Sequence, residues 1–99
     1  MPQPTPRIEP TDTVVWSPNQ LATEIDGEVV LMNMQRGHYY GLDDIGSEIW
    51  RSIERPTSVA ALCHTLSERY HAPRETVLSD VVPLLEKLRE QDLIVVVEA

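Results

Sequence analysis

Positive charge is scarce in this chain. Its 99 residues hold eight lysines and arginines against sixteen aspartates and glutamates, a net charge of −8 at pH 7 with histidine neutral. Nucleic-acid affinity draws largely on cations that neutralise phosphates, so this balance argues against a DNA or RNA partner. An anionic membrane surface is disfavoured for the same reason. Cysteine is nearly absent. Cys63 alone cannot form an internal disulfide, which suits a reducing cytoplasm. No apolar run approaches the roughly 20 residues of a membrane span, and the start Met1-Pro2-Gln3-Pro4 lacks the basic and apolar stretches of a signal peptide. The glycines Gly27, Gly37, Gly41 and Gly46 are isolated, so no phosphate loop or dinucleotide fingerprint is present. His38, His64 and His71 have no metal-ligand spacing with one another or with Cys63. On a helix, the neighbours Cys63 and His64 point about 100° apart and cannot pair as nucleophile and base. The expectation is a non-enzymatic, cofactor-free, soluble cytoplasmic domain built on one core.

What is present divides into a prolyl segment and a domain. Pro2, Pro4, Pro6 and Pro10 crowd the first ten residues, and proline fixes φ and removes donors, so residues 1–12 read as a flexible arm and 13–99 as the domain. Thr13 to Trp16 has strand character, followed by a Ser17-Pro18-Asn19 turn. Gln20 to Ile25 alternates, with Leu21, Thr23 and Ile25 on one face, and leads into Asp26-Gly27, a strong hairpin signal. Glu28 to Met34 is apolar on both faces, which marks a central strand or one with an outer partner. After Gln35-Arg36-Gly37, His38 to Leu42 completes an antiparallel three-stranded meander.

At Leu42 the period changes from two to about 3.6. Asp43 is placed to cap a first helix with Ile45, Ile49, Trp50 and Ile53 on its apolar face. Glu54-Arg55-Pro56 breaks it, and Thr57 is the next cap candidate. Val59, Leu62, Cys63, Leu66 and Tyr70 then trace the buried stripe of a second helix. A third runs from Pro73 to about Gln91, and Leu93 to Val97 is a strand that can add to a sheet edge. The predicted fold is α+β and winged helix-turn-helix-like: a meander, then three helices.

That topology raises a DNA-binding regulator as a competing function class, but helix three has no cation in its centre and is leucine-rich and acidic. A third class is a small structural domain that oligomerises through its two-faced middle strand. The same strand, from Val30 to Met34, is a candidate contact for a partner enzyme unless the N-terminal arm covers it. Helix three also carries more apolar residues than a one-sided helix needs. One stripe comprises Val77, Val81, Leu84 and Leu88, assigned to the core; a second, Leu78, Val82 and Leu85, is free to line a groove. Pro83 cannot donate to the Ser79 carbonyl and is expected to kink the helix.

The run Gly37-His38-Tyr39-Tyr40-Gly41-Leu42-Asp43-Asp44-Ile45-Gly46-Ser47-Glu48-Ile49-Trp50 resembles the PqqD-like family. So do Thr57-Ser58-Val59, Leu66 to Tyr70 with Pro73, and the closing stretch from Leu84 to Ile94, and the resemblance covers roughly residues 20 to 95. Asp43 stands where asparagine is common, and Ala72 where an aspartate often caps helix three. The resemblance implies a recognition element of ribosomally made peptides, a non-catalytic domain that binds a precursor's leader as a strand added to the third strand and packed against helix three. Its standalone members are similar to the recognition proteins of lasso peptide clusters, whose partners are a transglutaminase-like leader peptidase and an asparagine-synthetase-like cyclase. Within the family the alternative is a peptide chaperone of pyrroloquinoline quinone biosynthesis.

The residues support that expectation on physical grounds. A strand ending a meander is an edge, with free N–H and C=O groups that template an incoming strand. The candidate leader-binding residues are therefore His38, Tyr39, Tyr40, Gly41 and Leu42 on the strand, Leu78, Val82 and Leu85 as pocket residues, and Asp80 as a rim charge.

Overall fold

The computed structural model describes residues 7–97. Its first hairpin is set locally. Asp26 and Gly27 both take positive φ, 54° and 84°, the combination that a two-residue hairpin loop matched to the strand twist requires. That loop joins β2 (Gln20–Ile25) to β3 (Glu28–Asn33) in a register running from Gln20 opposite Asn33 to Ile25 opposite Glu28. A turn through Gly37 (φ 70°) returns the chain as β4, Tyr39–Gly41, antiparallel to β3. The sheet order is β2-β3-β4, so the expected meander is present with its doubly apolar strand in the centre. Val29 and Leu31 face the core, while Val30 and Met32 face outward beside Leu21, Thr23 and Tyr39.

A second sheet draws on both ends of the described chain. β1 (Thr13–Trp16) pairs antiparallel with β6 (Ile94–Val97) on one side and with the two-residue β5 (Thr57–Ser58) on the other. The C-terminal strand thus finds its edge on β1 rather than on the meander. Beside this sheet the Trp16 and Trp50 rings stack with centroids 4.8 Å apart, and the Trp16 indole donates to the Trp50 carbonyl at 2.7 Å.

Three helices fill the space between the sheets. α1 (Asp44–Ser52) starts on Asp43, whose carboxylate accepts from the Gly46 N–H at 2.7 Å. Glycine at 46 keeps this corner uncrowded: a Cβ would press on that carboxylate at 3.1 Å and on the Leu42 side chain at 3.3 Å. The buried Ser47 hydroxyl then ties α1 to the meander, accepting from the Val29 N–H and donating to the Leu42 carbonyl. α2 (Val59–Tyr70) is capped by Ser58, not Thr57 as expected. Thr57 is held in β5, with its hydroxyl donating to the Ser52 and Arg55 carbonyls, which leaves the capping role to its neighbour. Tyr70 also departs from the expected stripe and is exposed at the helix end. α3 (Arg74–Glu90) runs through the exposed Pro83 and has no side-chain cap at its start.

The reading of residues 1–12 as a flexible arm fails for the part described. Residues 7–12 form a strap across α3 and the start of α2, and residues 1–6 lie outside the described residues. Ile8 is only 3% exposed, and its N–H donates to the Glu86 carboxylate at 3.0 Å. Pro10 and Asp12 offer their carbonyls to the N–H groups of Ala60 and Val59. Ile8 is what anchors the strap. The strap therefore lies on α3 and does not cover the outer face of β3. Among the described residues no helix is long and apolar enough to cross a membrane.

Candidate functional site

The edge of the meander is β4. In the antiparallel ladder the Leu42 N–H donates to the Val29 carbonyl at 2.8 Å, and the Asn33 N–H donates to the His38 carbonyl at 3.2 Å. Paired residues alternate along such a ladder. His38, Tyr40 and Leu42 therefore direct their main-chain groups to β3, while Tyr39 and Gly41 turn theirs away from it. The turned-out groups look across a groove of about 380 Å³ towards α3. Leu42, Ile45, Gly46 and Ile49 line it on the α1 side, and Asp80, Val81 and Leu84 line the α3 wall.

One end of the groove is fixed by hydrogen bonds. Asn33, buried at the end of β3, donates from Nδ2 to the Gln91 carbonyl at 2.9 Å, and its Oδ1 accepts from the N–H groups of Gln35 and Arg36. Arg36 reaches the Glu90 carbonyl. The β3–β4 turn is thereby pinned to the C-terminus of α3, which sets the separation of the two walls at that end. At the other end stand the carboxylates of Asp43 and Asp80.

The structure brings only some of the expected site residues together. Tyr39, Tyr40 and Gly41 form the strand and Leu42 follows it: Tyr39 is exposed on the outer face, Tyr40 half-buried on the inner one and Leu42 buried. His38 is exposed at the strand's start, and Asp80 stands at the rim. The three apolar residues of α3 lie elsewhere. Leu85 is 0% exposed, in the core with Val77, Val81 and Leu88. Leu78 and Val82 are on the opposite flank, under Ile8 and Pro10 of the strap. Leu84, assigned to the core, is half-buried: it packs against the core and also lines the groove wall. The physical reason is angular: the helix presents a core face with a flank on each side, and the strap claims the flank that carries Leu78 and Val82.

Ile45 was also misplaced. Expected on the apolar face of α1, it is 48% exposed at the groove. A usable signal for Leu84 was in the sequence, because residues four apart share a helix face, and a rim at Asp80 therefore implies a wall at Leu84.

Cys63 is buried, and burial pushes its thiol pKa above the ordinary value, with the nearby Arg74 opposing only in part. Among the described residues no group of three or more His, Cys, Asp or Glu side chains is placed to hold a metal ion.

The sequence profile of coenzyme PQQ synthesis protein D (PqqD) matches residues 28–94, a span that takes in the meander's central strand, the edge, all three helices and the start of β6. The chain belongs to the PqqD family. Two solved structures extend the comparison for this PqqD-family protein. One is TbiB1 in complex with the TbiA(β) leader peptide, 32% identical, covering 81% of this chain and 93% of that one with a TM-score of 0.75. The other is a lasso peptide synthetase B1 complexed with the leader peptide, at 22% identity, 83% and 96% coverage and a TM-score of 0.74, a likeness that shows the fold. No curated protein sequence matches the chain.

Proposed function

We propose that this PqqD-family protein is a recognition element that binds the leader of a ribosomally made precursor, of the lasso peptide type, as a strand added to β4. The observation that carries the reading is a strand edge that no other described strand pairs with, facing a mostly apolar groove, in a chain 32% identical to a protein solved with a leader peptide. Main-chain bonds to Tyr39 and Gly41 supply affinity that is indifferent to sequence, and the pocket formed by Ile45, Val81 and Leu84 selects side chains at alternate positions. Asp80 steers from the rim, where charge acts more on association rate than on affinity.

The domain carries out no chemistry of its own in this reading. It holds the leader and so raises the local concentration of the attached core peptide at a transglutaminase-like peptidase and an asparagine-synthetase-like cyclase. Fluorescence anisotropy with the labelled TbiA(β) leader, and with duplex DNA at matched salt, tests the function class. Saturable peptide binding with no DNA binding is expected. Salt-sensitive DNA binding without peptide binding would replace the reading with a winged-helix regulator. Incubation with a precursor peptide should leave the peptide's mass unchanged.

A further inference from the structure

A leader bound along β4 has two faces, and the groove accounts for one. Side chains of an added strand alternate, so every second residue points to the outer face of the sheet. On that face the edge strand offers an unusual pair. Tyr39 is 71% exposed, an aromatic ring left standing beside an open edge. Two residues on, Gly41 has no side chain, and a Cβ built there would meet nothing within 4 Å. Gly41 lies in β4 without positive φ, so its backbone does not require glycine. Neither packing nor conformation explains the residue. Behind the gap, on β3, Gly41 is paired with Val30 and Tyr39 with Met32, both half-buried and apolar.

We propose that Gly41 forms an outer subsite for a large apolar or aromatic side chain of the bound peptide, which lies across the glycine against Val30 and is flanked by Tyr39. The proposal rests on strand addition to β4 and adds a second point of selection to it. The peptide residue beside Gly41 must point outward, because lateral neighbours in a sheet share a face. A diagonal neighbour such as Tyr39 is about 7–8 Å away, within reach of an aromatic or long side chain. An alanine there would leave the Tyr39 ring and the Val30 methyls wet. Any side chain at position 41 would occupy the space the peptide residue uses. Peptides are thus read from both sides of the sheet, inward by the pocket at Leu84 and outward at Gly41.

The test uses the full chain with a random library of displayed 18-residue peptides, followed by titration of one selected peptide and of its alanine variant at the outward position. Gly41→Thr is the deciding substitution. Its extra atoms have room, and threonine suits a strand better than glycine, so the melting temperature should hold or rise. The expected result is enrichment of large apolar residues at one position, set one residue off the positions that fill the groove. Gly41→Thr should weaken the selected peptide at least fivefold and its alanine variant less than twofold, whereas Leu84→Ala should weaken both. If Gly41→Thr weakens neither, or both equally, the outer subsite is wrong, while loss of binding in Leu84→Ala still upholds strand addition. If the library yields no binder, strand addition fails and the subsite fails with it.

Discussion

The two flanks of α3 differ in what covers them. On one, Leu78 and Val82 lie under an extended stretch of the same chain, anchored by Ile8 and by its hydrogen bond to Glu86. On the other, Asp80 and Leu84 face a groove with a free strand edge along its far side. Among the described residues, one flank holds an extended segment of the chain itself and the other is open. The apolar excess of α3 follows: a helix with a core face, a flank under the strap and an apolar wall on the open flank carries more than the stripe of about 100° that suffices for one-sided packing.

Substitutions on the three faces of α3 should separate stability from binding. The largest effect is expected in the core, where Leu85→Ala removes a fully buried side chain and should cost about 3 kcal/mol of stability, read by urea denaturation. An unchanged midpoint would return Leu85 to the groove. Leu84→Ala on the open flank removes about three methylene-sized groups from a peptide contact. It should weaken leader binding on the order of thirtyfold, equivalent to about 2 kcal/mol, with little change in melting temperature. On the covered flank, Ile8→Ala should lower stability by about 1–2 kcal/mol and leave peptide affinity unaltered, the signature of a strap that binds only its own chain. Smallest is the rim: Asp80→Asn should shift affinity less than about threefold, mainly through the association rate and its salt dependence.

Cys63 offers a check away from the comparison. Burial raises its thiol pKa, so the thiolate that reacts with alkylating reagents forms only at higher pH than for a free cysteine. Labelling at pH 8 should be slow in the folded protein and fast in urea, and equal rates would place the thiol at the surface.

Much of the fold was legible because its signals are local. Asp26-Gly27 marks its hairpin, Asp43 its cap, and the change of period at Leu42 separates sheet from helices. The pairing of β1 with β6 was not legible, since it joins residues some eighty positions apart and Trp16 gives no local sign of its partner Ile94. The edge strand of the candidate site was readable for the same reason as the hairpin. The α3 wall was not. Periodicity shows that a helix has apolar residues at certain angles, but what packs on each angle is decided by distant segments, here by Ile8, seventy residues before Leu78. Ile45 fell to a similar ambiguity, since it sits at the margin of the stripe formed by Ile49, Trp50 and Ile53.

The central claim, that β4 receives an extended peptide, is tested most directly by amide hydrogen exchange with and without a saturating library-selected peptide. The Tyr39 and Gly41 amides, turned away from β3, should gain protection on binding, while Gln20, Ala22 and Glu24 on the opposite edge strand exchange as before. Protection along β2, with Tyr39 and Gly41 unchanged, would contradict it.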